Sequence, residues 1–351
     1  MKRILITGGV GFIGSHTIIL LLQKGFDLII IDSFINSYKK NIEEIKNLIS
    51  RINNQFLENI KFIECDIRDK KHLNQIFLSS SNSGNPIEAV IHFAGLKAVG
   101  ESVKNPLFYW EINVGGSINL FKIMDDFDCK TIVFSSSATI YHNISKGLLD
   151  ENCEINPLSP YGKTKATIEK ILETLYESES NKWNVANLRY FNPIGAHESG
   201  LIGENPKGIP NNLFPYINEV AIGRRNKLKI FGNDWPTFDG TGVRDYIHVM
   251  DLAEGHISAL EFLLSKKGNY VNLNLGTSKG TSVLQLIETF EKVNNCKINY
   301  EFAERRSGDI ASSIADNKLA ISLLNWKPKR SIEDMCKDGW RWQINQTKKS
   351  I

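Results

Sequence analysis

The stretch Thr7-Gly8-Gly9-Val10-Gly11-Phe12-Ile13-Gly14 constrains this 351-residue chain more than any other. A short β-branched run, 4–7, precedes it, and a helical pattern, 13–24, follows and ends near Gly25. A strand that turns straight into a helix needs residues without a Cβ, and Gly11 lets a phosphate approach the backbone. Gly14 then permits close packing of helix on strand. The helix N-terminus leaves free N–H groups and a partial positive charge, which favour an anion. Asp32 closes the next strand-like run, 28–31. An acid there accepts hydrogen bonds from a ribose and repels a 2′-phosphate. Strand, turn, helix and acid together predict a dinucleotide site for NAD rather than NADP.

The alternation continues. Strand-like runs at 61–64, 89–92, 131–134 and 185–189 are interleaved with helical patterns at 113–125 and 161–178. Strands alternating with helices predict βαβ units with right-handed crossovers, hence an α/β fold with a Rossmann-type doubly wound parallel sheet. Past residue 193 the texture changes. Two Gly/Pro-rich stretches, 195–210 and 232–242, carry no periodicity, and loops of that length are usually functional. Around them lie expected helices at 212–223, 249–264 and 282–294, and strands at 228–231 and 271–275. The expected division is a dinucleotide-binding domain over 1–193 and a smaller α+β substrate-binding domain over 194–351. Residues 346–351 are expected to fray.

Composition excludes several classes. Lys plus Arg is 42 against 39 Asp plus Glu, an even balance that does not point to nucleic acid. The longest aliphatic run near the start, 18–22, is far too short to span a bilayer, so no membrane partner is expected. Five cysteines stand at 65, 129, 153, 296 and 336, an odd count with no CxxC pair. They read as free thiols in a reducing, cytoplasmic setting. Seven histidines show no metal-ligand spacing, so no metal is expected.

Three polar side chains suggest chemistry. Tyr161 and Lys165 stand four apart after Pro160, so both lie on one face of a helix that Ile168 and Leu172 mark as inward. Ser137 ends a strand-like run, where ligands of parallel sheets bind. The set suits hydride transfer from an alcohol carbon, with Tyr161 as base and Ser137 on the substrate oxygen. Bringing a tyrosine from a pKa of about 10 to neutrality costs about 4 kcal/mol. One positive charge about 5 Å away supplies about 3 kcal/mol at an effective dielectric of about 20. Lys165 and an oxidised nicotinamide together are therefore expected to suffice. Nearby, Asp66 closes the third strand and either accepts from adenine or caps the following helix. His92 reads as structural, while Ala94 and Gly95 are small enough for a cofactor to pass.

These residues resemble the extended short-chain dehydrogenase/reductase family, and within it the UDP-galactose 4-epimerases. GGVGFIGSH, SPYGKTK, LRYFNPIGAH, IFGNDWPT, DGTGVRDYIHVMDLA and RRSGD occur in family order, and with other such strings they run from residue 8 to residue 309. The resemblance implies that Gly8, Gly11, Phe12, Ile13, Asp32, Asn36, Asp66, Ile67, Phe93, Ala94, Gly95, Lys97, Asn113 and Ser135 hold NAD. Lys165 would bridge the nicotinamide ribose, and Tyr190 and Phe191 would flank nicotinamide and sugar. Asn192, Asn212, Phe231, Arg244, Arg306 and Asp309 would grip the UDP of a UDP-sugar. Two guanidiniums suit a pyrophosphate because each binds oxygens bidentately. The competing role for Arg244 is a salt bridge to Asp245 or Asp251, and for Arg306 a solvated face. The implied reaction interconverts UDP-glucose and UDP-galactose through a 4-keto sugar on bound NAD, in a homodimer built through a helical bundle.

Four departures stand out. Ser33 replaces a common Asn, His142 a common Gly, and Phe12 a common Tyr. Ser313 occupies a gate position where members restricted to glucose and galactose carry a bulky Tyr. A small residue there leads us to expect turnover of N-acetylated sugars as well. A dehydratase would carry an Asp-Glu pair where Ala138 and Thr139 stand. A reductase would have to release its cofactor, and a non-catalytic NAD sensor would lack the Tyr–Lys pair.

Overall fold

A computed structural model describes residues 1–141, 147–180, 182–208, 210, 212–306 and 308–349. The expectation at His142 lies outside the described residues. Strands β1 (Arg3–Thr7), β2 (Asp27–Asp32), β3 (Ile60–Glu64), β4 (Ile87–His92), β5 (Thr131–Ser137) and β6 (Asn184–Tyr190) alternate with helices. These are α1 (Phe12–Gln23), α2 (Asn41–Asn53), α3 (Lys70–Asn82), α4 (Val99–Lys104), α5 (Pro106–Tyr109), α6 (Gly116–Asp126) and α7 (Pro160–Ser178). Then follow β7 (Asn192–Ile194), α8 (Leu213–Ala221), β8 (Leu228–Phe231), β9 (Val243–His248), α9 (Val249–Ser265) and β10 (Tyr270–Leu275). The chain ends with β11 (Gly280–Ser282), α10 (Val283–Asn294), β12 (Tyr300–Ala303), β13 (Ser312–Ser313), α11 (Lys318–Leu324) and α12 (Ile332–Lys349).

Seven strands form one parallel sheet in the order β10-β6-β5-β4-β1-β2-β3. Their apolar runs are nearly continuous because helices cover both faces. Ile4, Ile6 and Ile30 face a core shared with Ile18 of α1 and Leu260 of α9. Leu5, Ile29, Val90 and Ile132 face the other core, with Phe77, Phe121 and Ile168. The strand order reverses between β1 and β4, so their carboxyl ends open a crevice, the place where such sheets bind ligands.

Beyond residue 193 the chain divides between two layers. β10 joins the large sheet beside β6, and α9 packs on α1. The rest builds a smaller α+β layer. There β9 pairs with β7, β11 and β13, β8 pairs with β12, and α8, α10 and α12 close around Phe214, Phe290 and Met335. Residues 346–349 do not fray as expected: they complete α12, whose Gln346 amide donates to Glu44 of α2 at 3.1 Å. Burial of Met335, Cys336 and Trp342 seats that helix. Among the described residues no helix is long and apolar enough to cross a membrane, and no His/Cys/Asp/Glu group has metal-holding geometry.

Candidate active site

The turn after β1 is shaped by its glycines. Gly8 lies in the left-handed region (φ +65°), and a Cβ there would stand 2.7 Å from Ala94 N. A Cβ on Gly14 would stand 2.7 Å from Gly9 Cα. Gly11 begins α1 with no side-chain cap, so the first N–H groups of α1, from Phe12 and Ile13, face the crevice uncapped. Asp32 is buried and shapes this turn from below. It accepts from Val10 N at 3.0 Å, Phe34 N at 2.9 Å and Ser37 Oγ at 2.8 Å. Burial raises its pKa and those donors oppose the rise. A carboxylate has room for about four donors, so these three leave one position open. The cradle therefore fits a dinucleotide pyrophosphate, with an acid at the ribose position.

The flanking residues sort differently. Asn36 is exposed and donates across the crevice to Gly95 O at 3.4 Å. Asp66 neither caps the next helix nor stands free. Asp69 caps α3, while Asp66 takes three hydrogen bonds from the Arg68 side chain and a fourth from its N–H. Burial pushes the Asp66 carboxyl up, but Arg68 wins and holds it below the usual value. Ile67 is buried against Gly116. Phe93 packs on His256, with ring centroids 4.8 Å apart.

His92 is structural. Burial drives its pKa down to about 3, so it is neutral. Ser117 Oγ gives its proton to Asn113 O, so His92 Nε2–H donates to Ser117, and Thr7 Oγ1 donates to Nδ1 at 2.6 Å. Asn113 accepts from Leu96 N at 2.8 Å and donates to Leu96 O and Thr164 Oγ1. Its amide thus fixes the Gly95–Leu96 loop against α7.

Tyr161, Lys165 and Ser137 meet at the carboxyl end of β5. Ser159 caps α7, accepting from Gly162 N at 3.0 Å, and Pro160 sits at the first turn. Tyr161 and Lys165 are both buried on the inward face. Lys165 Nζ donates to Ser135 O at 2.6 Å and lies 5.9 Å from the Tyr161 ring centroid. Ser137 Oγ accepts from Thr139 N and Thr139 Oγ1, which leaves its own proton for the Tyr161 oxygen. Burial pushes the Tyr161 hydroxyl up to about 12, against the pull of Ser137, and drives Lys165 down to about 7. The protein's own charges therefore do not lower Tyr161. Burial thus disfavours the charged form of Lys165, with Glu169 opposing it.

On the other layer Arg244, expected to grip UDP, lies on β9. Its competing salt bridges do not form. Asp245 is filled by Thr277 N and Oγ1, Ser278 N and Ala315 N. Asp251 is filled by Arg330 and two backbone N–H groups. Among the described residues Arg244 donates only to the neighbouring Val243 O, and burial lowers its pKa. Arg306 lies over the Phe231 ring at 4.6 Å and pairs with Asp309 at 2.9 Å, with its side chain 55% exposed. Ser313 pairs in register with Arg244, and Asn192 with Tyr246 of the same strand β9. Phe191 is buried against Tyr141, Leu149 and Ala315. Tyr190 donates to His256 Nε2, whose Nδ1–H is taken by Leu252 O at 2.8 Å.

Sequence reasoning missed two carboxylates. Glu169 is four residues beyond Lys165, and with Arg189 it forms an ion pair whose side chains are 5% and 1% exposed. Ser136 Oγ also donates to Glu169. The i,i+4 continuation from Lys165 was the available signal. Glu204 lies inside the 195–210 loop and accepts from both Lys97 and Asn212. Nothing local in the sequence marks it.

Comparisons with known proteins agree with this geometry. Residues 5–339 match the family model described as GDP-mannose 4,6 dehydratase. The UDP-glucose 4-epimerase of Bacillus subtilis (strain 168) is 48% identical over 340 residues, covering 97% of this chain and 96% of that protein. The structure of the Stenotrophomonas maltophila UDP-glucose 4-epimerase with bound NAD and formylated UDP-arabinopyranose superposes with a TM-score of 0.93. It shares 42% identity and covers 99% of this chain and 100% of that one. The Bifidobacterium longum enzyme in complex with NAD+ and UDP gives 0.91 at 41% identity, covering 99% of both chains. With a glycine cradle, a buried Tyr–Lys–Ser set and near-complete coverage by such relatives, the chain belongs to the UDP-glucose 4-epimerase family of extended short-chain dehydrogenases/reductases.

Proposed function

We propose that this chain interconverts UDP-glucose and UDP-galactose. One observation carries the reading: Tyr161, Lys165 and Ser137 meet at the carboxyl end of β5, in the same parallel sheet as the β1 glycine turn, while the smaller layer presents an arginine, Arg244, with no carboxylate hydrogen-bond partner among the described residues. Bound NAD supplies the oxidant that takes sugar C4 to the ketone and the reductant that returns it from the other face. Ser137 orients the sugar hydroxyl and relays its hydrogen bond to Tyr161. Tyr161 takes the proton and later returns it. Lys165 fixes the ribose side of the cofactor and lends charge when protonated. Arg244, Arg306 and Asp309 hold the UDP, with Phe231, Asn192 and Asn212 around it. Anchoring at the nucleotide leaves the sugar free to turn, because binding energy remote from the reacting carbon does the holding. The division at residue 193 then has a functional sense. Residues 1–193, joined by α9 and β10, serve cofactor and base, and the rest serves UDP and sugar.

Three finer readings accompany it. Ser313 leaves room for an N-acetyl group, so UDP-N-acetylglucosamine and its C4 epimer are substrates too. A homodimer forms over α4 and α5, where Val103 and Leu107 are 63% and 82% exposed beside Val99 and Phe108. Five unpaired thiols suit a cytoplasmic setting. A dehydratase needs an acid and a base beyond the serine. Here Ala138 has neither, and Thr139 Oγ1 is committed to Ser137. The test is incubation of the purified protein with UDP-galactose and no added cofactor. Conversion to UDP-glucose supports the reading, and a dehydrated 4-keto-6-deoxy product or no turnover contradicts it.

A further inference from the structure

Lys97 and Asn212 belong to opposite sides of the site. Lys97 follows β4, beside Gly95 and the Asn113 amide that holds that loop. Asn212 immediately precedes α8 in the smaller layer. Both meet on one atom. Lys97 Nζ donates to Glu204 Oε1 at 2.8 Å, and Asn212 Nδ2 donates to the same oxygen at 3.0 Å. Glu204 is 7% exposed, whereas the Lys97 side chain is 52% exposed. The second oxygen, Oε2, is buried without a hydrogen-bond partner among the described residues. Glu204 also lines a cavity of about 110 Å³ together with Lys40, Arg224 and Trp342.

A carboxylate kept for stability alone is a poor account of this arrangement. Buried carboxylates that only stabilise have both oxygens satisfied, and a pair with a half-exposed lysine contributes little. The geometry instead makes Glu204 a shared acceptor. An ammonium has three donors, and Lys97 spends one on Glu204, which leaves two for an anion on its exposed side.

We propose that Glu204 is a positioning residue that couples the dinucleotide half of the site to the UDP half, through Lys97 on one side and Asn212 on the other. The inference rests on the function proposed above. An anion that orders Lys97 also orders the carboxylate it holds, and the ordered carboxylate fixes the Asn212 amide. The second ligand then meets a residue that has already lost its rotamer freedom, so it binds more tightly. Linkage makes the effect reciprocal: UDP must hold the dinucleotide in place as much as the dinucleotide holds UDP.

The experiment measures exchange of bound NAD for labelled NAD in the purified holoenzyme, with and without saturating UDP. In the parent protein UDP slows exchange about tenfold, within the usual range of coupling between sites, and in Glu204→Gln by less than about twofold. The glutamine keeps an acceptor for Asn212 but lacks the charge that holds Lys97. Lys97→Met breaks the same pair from the exposed end, so it decides the matter if Glu204→Gln fails to fold, and it too should lose the UDP effect. Equal slowing in parent and variants, or no slowing in the parent, overturns the coupling. UDP affinity, measured by calorimetry on the same holoenzyme, separates the two levels. A protein that binds UDP without slowing exchange sinks only the coupling, whereas one that does not bind UDP sinks the proposed function as well.

Discussion

Ser313 lies directly across from Arg244 in the parallel pairing of β13 with β9. Partners in register project to the same face of a sheet, so the small hydroxymethyl group shares a face with the proposed pyrophosphate anchor. In the proposed function, volume at position 313 is volume beside the sugar. Ser313→Tyr should abolish conversion of UDP-N-acetylgalactosamine while leaving that of UDP-galactose within about threefold, a discrimination set by a steric clash rather than a lost contact. Side-by-side product ratios check this. Equal loss of both activities would show that the position supports the fold rather than the gate.

Arg244 and Arg306 should differ in weight. Arg244 is partly buried and has no carboxylate hydrogen-bond partner among the described residues, whereas Arg306 is more than half exposed and already paired with Asp309. A charge-assisted hydrogen bond contributes about 1.5–3 kcal/mol, so Arg244→Ala should weaken UDP binding roughly 10- to 100-fold. Arg306→Ala should cost less, because UDP has to displace the Asp309 pair before gaining Arg306. Calorimetric titration with UDP ranks the two, and the reverse order would remove Arg244 as the principal anchor.

Lys165 carries a stability signature that does not need activity. Burial lowers its folded pKa from 10.5 to about 7, so the unfolded chain binds the extra proton between those values. Stability from this group therefore rises as pH increases from about 7 toward 10.5, and the burial penalty is fully present below 7. Lys165→Met lacks the penalty at every pH. The melting temperature of the variant minus that of the parent should accordingly fall by a few °C as pH goes from about 7 to 10. Working with the difference cancels any constant offset from altered cofactor binding. A difference that is flat or rises with pH would show that Lys165 is not desolvated as described.

The exposed apolar row on α4 and α5 predicts a second copy of the chain. Leu107→Glu places a charge at the most exposed member of that row, 82% accessible in the isolated chain. Burying an unpaired carboxylate in an interface costs several kcal/mol, enough to dissociate a dimer at micromolar concentration. Sedimentation should show the parent as a dimer and the variant as a monomer. A parent that sediments as a monomer would leave the row without this role.

Much of the first layer was legible because its signals are local. The apolar runs of β1, β2 and β4 and the stripe of α7 announce themselves in a few residues, and the glycine turn between β1 and α1 needs its residue types. The rest depended on contacts far apart in the chain. β10 joins β6 through residues about 85 apart, such as Tyr270 and Val185, and neither strand advertises the other. β7 and β13 span three and two residues and are strands only because β9 is beside them. Glu169 and Arg189 stand 20 residues apart in the chain, and only the fold buries them as a pair. The sequence-based arithmetic for Tyr161 counted the attractive charge of Lys165 and omitted the desolvation of both groups, which here is the larger effect.

The central claim is that Tyr161 exchanges a proton with the sugar while the nucleotide is held elsewhere. Tyr161→Phe removes only the hydroxyl, so the ring packing against Leu96, Tyr109 and Ile112 is kept. The decisive measurement is the turnover of UDP-galactose by this variant, together with its affinity for UDP. The account predicts a fall in kcat of roughly 10²- to 10⁴-fold, the usual contribution of a positioned acid–base group, with UDP binding unchanged within about twofold. Full activity in Tyr161→Phe would contradict it.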